Sequence, residues 1–527
     1  MGLFIISIIP WSVFVIFKYK KALHMLQQNL YNHDSRYLTW LYRNYKKVLG
    51  EIDILLVIPL MFYWNKTIFM IIFFITYSIF TIVHYNKLKN EQTKKPLVIT
   101  ARVKRLITTI FIIYLASSIY LVSNFFFDNI ILYYVIIMGM TYFAYIVVYI
   151  ANIINYPIER GYFYYYMYKA KSKLKSMKNL KIIGITGSYG KTTSKNILSD
   201  ILSVKFNTLP TPKSLNTPNG LMITINNHLD KFDEIFIAEM GSYKIGEIKE
   251  LCDLVSPKYG VVTIIGKAHL ESFGSEENIQ KGKFELIESL PQDGIGILNG
   301  DDHLQVSYKL KNNCKIVWIG IDNKDVDVYA SNIECSEKGT TFDVTFKGDK
   351  TKYKFQTKLL GYFNVYNILA AIALGKELGI DIPGLQVGVR KVRPTEHRLE
   401  LKRGPGVIII DDAYNSNPSG AKMALEVLSI MKGKKVIVTP GMIELGSKQY
   451  ELNKEFGKQI AAVCDEVILV GEKQTKPIQD GLKEKGYDKK KIHIVNDIKL
   501  AFNIINKIKD SNTYVLLEND LPDIFNE

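Results

Sequence analysis

The chain has 527 residues and a formal net charge of +16 at pH 7, and 48% of its residues are hydrophobic. Together with the 12% of aromatic residues, this apolar share exceeds that of an ordinary soluble protein. The excess apolar residues lie in the N-terminal part of the chain. No basic helix is interleaved with stacking aromatic residues, so we predict no nucleic-acid partner and assign the lysines to loops that face anionic lipid. The four cysteines form no C-x-x-C pair, which argues against a disulfide framework and a zinc site.

The first 155 residues contain five apolar runs, and we predict an α-helical transmembrane domain of about five crossings, or four if a short run does not cross. The last three runs are long enough to cross a bilayer, whereas the first two are short. No acidic residue or histidine lies in the middle of these runs, which favours an anchor over an ion or proton pathway. The runs are residues 3–17, 52–64, 67–85, 106–127 and 130–154.

The distribution of Lys and Arg predicts the orientation of this domain, because basic residues near short loops stay in the cytoplasm. They fill the connections at residues 18–47 and 87–105, while the turns between paired runs are about two residues long. We therefore expect a multi-pass protein of the cell membrane whose chain after Ile154 is cytoplasmic. Residues 156–179, which are rich in Tyr and Lys, are predicted to be an interfacial linker that contacts the lipid bilayer.

A strand, a glycine loop and a helix follow one another at residues 180–199, LKIIGITGSYGKTTSKNILS. Glycines at this spacing let backbone N–H groups surround phosphate oxygens at a helix N-terminus. Lys191 would then reach the β and γ phosphates, and the hydroxyl of Thr192 would hold Mg²⁺. The usual pattern has glycine at position 185, where this chain has Ile185. The residues predicted to bind ATP here are Thr186, Gly187, Ser188, Tyr189, Gly190, Lys191, Thr192 and Thr193.

Glu239 follows the apolar run 235–238 and is expected at the carboxyl end of a strand, where open α/β sheets place their ligands. Taken alone, it would be a surface carboxylate that ends a strand. The phosphate loop upstream favours the other interpretation, in which Glu239 is a magnesium ligand.

Several motifs in order resemble those of the Mur ligases, the enzymes that build the peptidoglycan stem peptide. They are TGSYGKTTSK, AHLESFGS, LLGYFNVYNILAA and DDAYNSNP, and the similarity runs from about Lys181 to Leu517. It implies an α/β fold, with a P-loop central domain at residues 180–390 and a Rossmann-like C-terminal domain at residues 391–527. Both ends depart from the family: the membrane part replaces a small UDP-sugar domain, and LLENDLPD stands in place of a KGSR-like motif.

The resemblance also implies metal ligands. His269, in AHLESFGS, matches a histidine that binds the metal. Lys283 matches the lysine that many Mur ligases carbamylate, a change that turns a cation into a carboxylate able to bind a second Mg²⁺. From the residues alone Lys283 is a solvated helix charge, and Lys281 is a near competitor.

Further positions are implied to contact nucleotide or substrate. In the G-x-x-N-x-x-N stretch Phe363 replaces a histidine that is common in the family. Asp412 ends a buried strand and can hold the ribose or a metal-bound water, and Arg398 resembles the arginine that reaches nucleotide when the C-terminal domain closes. The nucleotide positions beyond the loop are Asn299, Asn364, Asn367, Arg398 and Asp412. The substrate positions are Thr211, Asn216, Tyr414, Asn415 and Asn417.

These residues predict an ATP-dependent, ADP-forming carboxylate–amine ligase with Mg²⁺ as cofactor, in which Lys191, Lys283, His269 and Asp412 are catalytic. We expect the acceptor to be a membrane-associated cell-wall or surface-polymer precursor, joined to an amino acid or dipeptide. DDAYNSNP is close to DDSYNANP of the family members that add D-Ala-D-Ala, so addition of this dipeptide to UDP-MurNAc-tripeptide is an alternative. Two others are a poly-γ-glutamate type of ligase and a membrane-tethered NTPase coupled to transport.

Overall fold

The structure, a computed structural model, divides into two compact units, Met1–Tyr165 and Tyr166–Glu527, each considered by itself below. The residues that it describes are 2–29, 31, 36–49, 53–90, 96–125, 130–266, 270–404, 406–413, 416–443 and 445–519.

In the described part of the first unit, all regular secondary structure is helical. Three of its helices are long and apolar enough to cross a membrane, and α6 with α7, bent by 80° at their junction, makes a fourth if the pair is one span. The helices are α1 (Gly2–Gln28), α2 (Arg36–Arg43), α3 (Tyr45–Leu49), α4 (Lys66–Asn90), α5 (Ala101–Phe125), α6 (Ile130–Tyr142) and α7 (Ala144–Ser176), which begins in this unit, with a 3-10 helix at Asp53–Phe62.

The predicted number of five crossings exceeds the three or four that helix length and composition support in the described residues. The difference arises at the second apolar run, which forms the 3-10 helix Asp53–Phe62. A 3-10 helix rises about 2.0 Å per residue, so these ten residues cover about 20 Å, less than the roughly 30 Å of a bilayer core. The orientation of the unit in a membrane stays a prediction.

A buried ion pair joins α1 to the start of the 3-10 helix. The ammonium of Lys18 contacts the carboxylate of Asp53, and both side chains are more than nine-tenths buried. Nearby, Trp11 Nε1 donates to Thr141 Oγ1 at 3.0 Å. The helices therefore enclose an acidic residue, which the sequence pattern did not indicate because Asp53 lies at the edge of its apolar run.

Replacing Asp53 with asparagine is expected to destabilise this unit by about 3–5 kcal/mol, because it leaves the Lys18 ammonium buried and unpaired. The measurement is the thermal midpoint of the detergent-solubilised protein. Lys20→Met, which removes an exposed lysine of the same helix, is the control. Equal midpoints for Asp53→Asn and the unaltered protein would show that the pair does not hold α1 to the 3-10 helix.

The central domain of the second unit is a nine-stranded sheet with helices on both faces. The strand order is β2-β3-β1-β4-β5-β6-β7-β8-β9, and β8 alone runs in the direction opposite to the other strands. Helices α8 and α14 bury Ile197, Leu198 and Ile368 in the core on one face, and α12 buries Phe284 and Ile287 on the other. The strands are β1 (Lys181–Thr186), β2 (Thr208–Pro210), β3 (Ile235–Glu239), β4 (Tyr259–Val262), β5 (Ile295–Asn299), β6 (Lys315–Gly320), β7 (Val328–Ser336), β8 (Gly339–Phe346) and β9 (Tyr353–Thr357), and the helices are α8 (Lys191–Leu202), α9 (Pro218–Asn227), α10 (Glu247–Val255), α11 (Leu270–Phe273), α12 (Glu276–Glu288), α13 (His303–Val306), α14 (Tyr362–Glu377) and α15 (Ile382–Lys391).

The C-terminal domain is a second α/β sheet of six strands in the order β10-β11-β15-β12-β13-β14, parallel except for β10. The predicted fold class, a P-loop domain followed by a Rossmann-like domain, is thus confirmed. The strands are β10 (Glu400–Gly404), β11 (Val407–Asp412), β12 (Lys434–Thr439), β13 (Glu466–Val470), β14 (Ile492–Val495) and β15 (Thr513–Glu518), and the helices are α16 (Pro418–Ser429), α17 (Gln449–Val463), α18 (Lys476–Glu484) and α19 (Ile498–Ile508), with 3-10 turns at Gly446–Lys448 and Lys489–Lys491.

Candidate active site

The phosphate loop, residues 187–190, connects the buried strand β1 to the start of α8. Its glycines have φ angles of 149° at Gly187 and 78° at Gly190, a region that other residues rarely adopt. Lys191 Nζ folds back onto the loop and donates to the carbonyl oxygens of Gly187 at 2.7 Å and Ser188 at 3.2 Å. The loop therefore has the compact form that a phosphate-binding turn requires, with its lysine at the helix N-terminus.

Gly187→Ala is expected to disrupt this loop, because a Cβ there would lie 1.9 Å from Thr263 Oγ1. Overpacking of this kind costs about 1–3 kcal/mol. Because the loop relaxes away from the clash and must regain its shape to bind phosphate, we expect about 5- to 150-fold weaker binding of an ATP analogue. Gly274→Ala is the matched control, since Gly274 also has a positive φ of 80° but has open space around it. A normal dissociation constant for Gly187→Ala would contradict the expected clash.

The other predicted loop residues are held by neighbouring strands. Thr186 is buried, and its hydroxyl donates to the carbonyl oxygen of Met240 at 3.0 Å. The carbonyl oxygen of Tyr189 accepts from Thr263 Oγ1 at 2.6 Å, and burial raises the pKa of the Tyr189 phenol to about 12. Thr193 is half-buried on the first turn of α8. These bonds fix the position of the loop relative to the ends of β3 and β4.

Glu239, at the end of β3, contacts Thr192 in the first turn of α8. Thr192 Oγ1 donates to Glu239 Oε1 at 3.1 Å, and Asn216 Nδ2 donates to the same oxygen at 3.1 Å. Mg²⁺ prefers oxygen ligands and is usually held by one or two carboxylates together with phosphates. A hydroxyl beside one carboxylate fits that chemistry, although the described residues contain no cluster of three His, Cys, Asp or Glu side chains.

Thr211 and Asn216, predicted to face the substrate, both contact Glu239. Thr211 is 1% exposed, and its hydroxyl oxygen accepts from the backbone N–H of Glu239 at 3.2 Å. A residue so deeply buried supports the strand end and offers no surface to a substrate. Asn216 is only half-buried, so its amide remains at the border of the site.

Lys283 is buried on α12, whereas its competitor Lys281 is exposed. Lys283 Nζ donates to Ser242 Oγ at 2.8 Å. Burial, assisted by the positive charge of Lys191, holds the pKa of Lys283 well below its ordinary value. This shift favours the uncharged amine, which is the form that reacts with carbon dioxide.

Lys191 has a perturbed pKa as well. Burial lowers it to about 8 from 10.5, Glu239 opposes this shift, and the positive charge of Arg398 adds to it. Arg398 also acts on Asp412, where burial raises the pKa of the carboxyl group and the guanidinium lowers it. Arg398, in the C-terminal domain, is therefore within electrostatic range of both Lys191 and Asp412.

A small pocket beside the loop is lined by Asn299, Phe363, Tyr366 and Asn367. Asn367 is 4% exposed, and its Nδ2 has no hydrogen-bond partner among the described residues. The unpaired amide thus leaves a hydrogen-bond donor in a pocket whose wall includes two aromatic residues. Asn364 is used differently, because its Nδ2 donates to the carbonyl oxygen of Leu360 at 2.8 Å.

Three predicted residues, His269, Tyr414 and Asn415, lie outside the described residues. Asn417 caps α16, since its Oδ1 accepts from the N–H of Gly420 at 2.9 Å. Its side chain is therefore committed to the helix, and a substrate contact would have to come from its remaining amide group.

Two buried charged residues near the site were not singled out in the sequence. Lys195 Nζ lies 3.0 Å from Glu239 Oε2, and both side chains are at most 2% exposed. Glu518, at the end of β15, is paired in register with Asp412, and it accepts from Ser416 Oγ at 2.5 Å. The only signal for Lys195 was its place four residues after Lys191, on the same helix face.

Two family models match the second unit. The Mur ligase middle domain matches residues 185–375, and the Mur ligase, glutamate ligase domain matches residues 397–518. Among solved structures, the chain is similar to the MurF ligase from Thermotoga maritima in complex with ADP, with 26% identity and a TM-score of 0.60 over 68% of this chain and 80% of that one. A MurF structure from Acinetobacter baumannii shows 25% identity and a TM-score of 0.60, covering 67% and 76%.

Curated relatives agree with this assignment. The UDP-N-acetylmuramoyl-tripeptide–D-alanyl-D-alanine ligase of Bacillus subtilis is 36% identical over 55% of this chain and 62% of its own length, and that of Escherichia coli 32% over 55% and 64%. The chain thus spans slightly less than two thirds of these two relatives. The enzyme of the same name from Buchnera aphidicola subsp. Baizongia pistaciae is 30% identical over 66% of this chain and 74% of its length. With both domain models matched in order and the phosphate loop in place, the chain belongs to the Mur ligase family.

Proposed function

We propose that this protein is a membrane-anchored, ATP-dependent ligase that joins a carboxylate to an amine and releases ADP and phosphate. The observation that carries the proposal is a group of three features at the carboxyl ends of β1 and β3. They are the phosphate loop, the Thr192–Glu239 contact and the buried amine of Lys283, which is bonded to Ser242 just after β3. Mur ligases are amide ligases of this ADP-forming kind, and both of their shared domains match this chain.

In the proposed reaction, phosphoryl transfer from ATP to the acceptor carboxylate gives an acyl phosphate, which the amine attacks with loss of phosphate. Lys191 and the loop N–H groups bind and orient the phosphates. Thr192 and Glu239 would hold Mg²⁺, which would neutralise charge on the transferred group. Arg398 and Asp412 approach from the C-terminal domain, so closure of the two domains would exclude water from the acyl phosphate.

Lys283 is proposed to carry a carbamate. Its uncharged amine adds to carbon dioxide, a C–N bond forms, one proton leaves, and the product is an anionic carbamate. The side chain, 1% exposed, would keep this group away from bulk water. The anion would face the cations at the phosphate site and add an oxygen ligand for a second Mg²⁺. The role of His269 as a metal ligand stays a proposal drawn from the AHLESFGS motif.

For the acceptor we propose a membrane-associated cell-wall or surface-polymer precursor that bears a carboxylate. The apolar helices of the first unit support this, because an anchored catalytic domain meets lipid-linked molecules at a raised effective concentration. The catalytic domains would lie on the cytoplasmic side, where ATP is. The proposed amine is an amino acid or short peptide.

A second candidate is addition of D-Ala-D-Ala to UDP-MurNAc-tripeptide. The names of the curated relatives favour it, since all three similar enzymes are D-alanyl-D-alanine ligases of this precursor. In that case the apolar helices would only locate the enzyme at the membrane.

Product analysis by mass spectrometry separates these candidates. The detergent-solubilised protein is incubated with ATP, Mg²⁺ and D-Ala-D-Ala, together with either the UDP-linked tripeptide or its lipid-linked counterpart. We expect the lipid-linked carboxylate to be consumed faster. Equal or faster consumption of the UDP-linked tripeptide would overturn the lipid-acceptor proposal, and a ladder of products from glutamate alone would indicate a poly-γ-glutamate type of ligase.

A further inference from the structure

The strongest unassigned feature near the site is the buried ion pair between Lys195 and Glu239. The two charged atoms are 3.0 Å apart, and the side chains are 2% and 1% exposed. A buried ion pair gives little net stability, because the cost of removing two charges from water offsets their attraction. Its presence beside the phosphate loop therefore suggests a role in the site rather than in the stability of the fold.

Lys195 makes a second contact, to the segment that follows β2. Its Nζ donates to the carbonyl oxygen of Lys213 at 2.5 Å. Lys213 has a φ of 49°, in the left-handed region that a residue other than glycine adopts only at a cost. Lys213, whose backbone conformation is costly, is thus the same residue whose carbonyl oxygen accepts from the buried ammonium of Lys195.

Residues 211–216, which we call the 211–216 loop, are therefore connected to Glu239 by three contacts. Thr211 Oγ1 accepts from the N–H of Glu239, Lys213 is joined through Lys195, and Asn216 Nδ2 donates to Glu239 Oε1. The N–H of Gly241, two residues after Glu239, also donates to the carbonyl oxygen of Asn216 at 2.9 Å. Of the three contacts, the one through Lys195 is made by an ion pair, so it responds most strongly to a change of charge at Glu239.

We propose that Lys195 is a positioning residue that couples the 211–216 loop to the carboxylate of Glu239. Binding of Mg²⁺ and nucleotide at Glu239 then acts on the loop through this lysine and orders it. The proposal rests on the proposed function in one respect, which is that Glu239 and the phosphate loop bind Mg²⁺ and ATP.

Hydrogen–deuterium exchange on the full-length protein in detergent tests this coupling without a need to know the acceptor. Exchange is compared for a non-hydrolysable ATP analogue with Mg²⁺ and for the same analogue with a chelator. In the unaltered protein we expect the peptide that covers the 211–216 loop to exchange about tenfold more slowly with Mg²⁺. Lys195→Met should abolish this difference while the phosphate loop, residues 187–193, remains protected by the analogue.

The matched control is Lys205→Met, which removes another lysine that donates to a backbone carbonyl, that of Gly379, at 2.6 Å. It should keep the Mg²⁺-dependent protection of the loop. Protection that persists in Lys195→Met would overturn the proposal.

The unaltered protein alone decides the question if Lys195→Met does not fold, because loop protection that is equal with Mg²⁺ and with the chelator also overturns it. Failure of the proposed function gives a different result, in which the analogue does not protect residues 187–193 either.

Discussion

Lys191→Met is expected to lower the rate of ATP-dependent amide formation by about 10²–10³-fold, the loss typical of removing one group that stabilises charge in a transition state. Lys191 is the cation that lies against the loop carbonyls of Gly187 and Ser188, where β and γ phosphates would bind. Methionine keeps the length of the stem and removes the charge. Initial rates of ADP formation with saturating acceptor measure the effect, and Lys205→Met, outside the site, should be unaffected.

The lowered pKa of Lys191 predicts that nucleotide binding depends on pH. Burial lowers the pKa of Lys191 to about 8, so the ammonium is charged below that pH and increasingly neutral above it. Bound phosphates favour the charged form, and affinity for an ATP analogue should fall as pH rises above about 8. In Lys191→Met this decline should vanish, and a variant that retained it would show that another group titrates.

Lys283→Ala is expected to lower the rate by about 10²-fold, because it removes the group that we propose to carry a metal-binding carbamate. Formate or acetate should restore part of the rate, since a small carboxylate can enter the cavity left by the side chain and supply the missing anion. Lys281→Ala, on the exposed face of the same helix, is the control and should behave as the unaltered protein.

A spectroscopic readout separates the carbamate from a purely structural role of Lys283. With ¹³C-labelled bicarbonate, the unaltered protein should show a carbamate carbon signal that is missing in Lys283→Ala. The signal should weaken as the pH falls, because protonation of the amine removes the form that reacts with carbon dioxide. No signal in the unaltered protein, together with no rescue by formate, would mean that Lys283 acts only through its bond to Ser242.

The phosphate loop and the strand end at Glu239 could be predicted from the sequence because their signals are local. Two glycines at a fixed spacing before a lysine permit few backbone conformations, and an apolar run of four residues before Glu239 indicates a buried strand. The structure accordingly brings Thr192 and Glu239 within 3.1 Å of each other. The fold class followed from the same local patterns, repeated along the chain.

Residues whose role depends on distant partners could not be predicted in this way. In the sequence Lys195 has the pattern of an ordinary helix lysine, because its partner Glu239 lies on a separate strand, β3, and meets it only in the folded protein. Thr211 stands in a motif that indicates a substrate contact, yet its hydroxyl accepts from the backbone of Glu239, a residue on another strand. Asn417 stands in such a motif as well, and a hydrogen bond commits it to the cap of α16. The apolar run that begins near Asp53 forms a 3-10 helix, and hydropathy alone does not distinguish it from an α-helical span.

The ratio of ADP to amide product tests the central proposal most directly. The detergent-solubilised protein is given ATP, Mg²⁺, a carboxylate acceptor and D-Ala-D-Ala, and ADP is quantified beside the product mass. A ligase of this kind should form one ADP for each amide, and release of ADP should nearly stop when the amine is omitted. Release of ADP at the full rate without acceptor or amine would contradict the ligase proposal and would identify the protein as an NTPase.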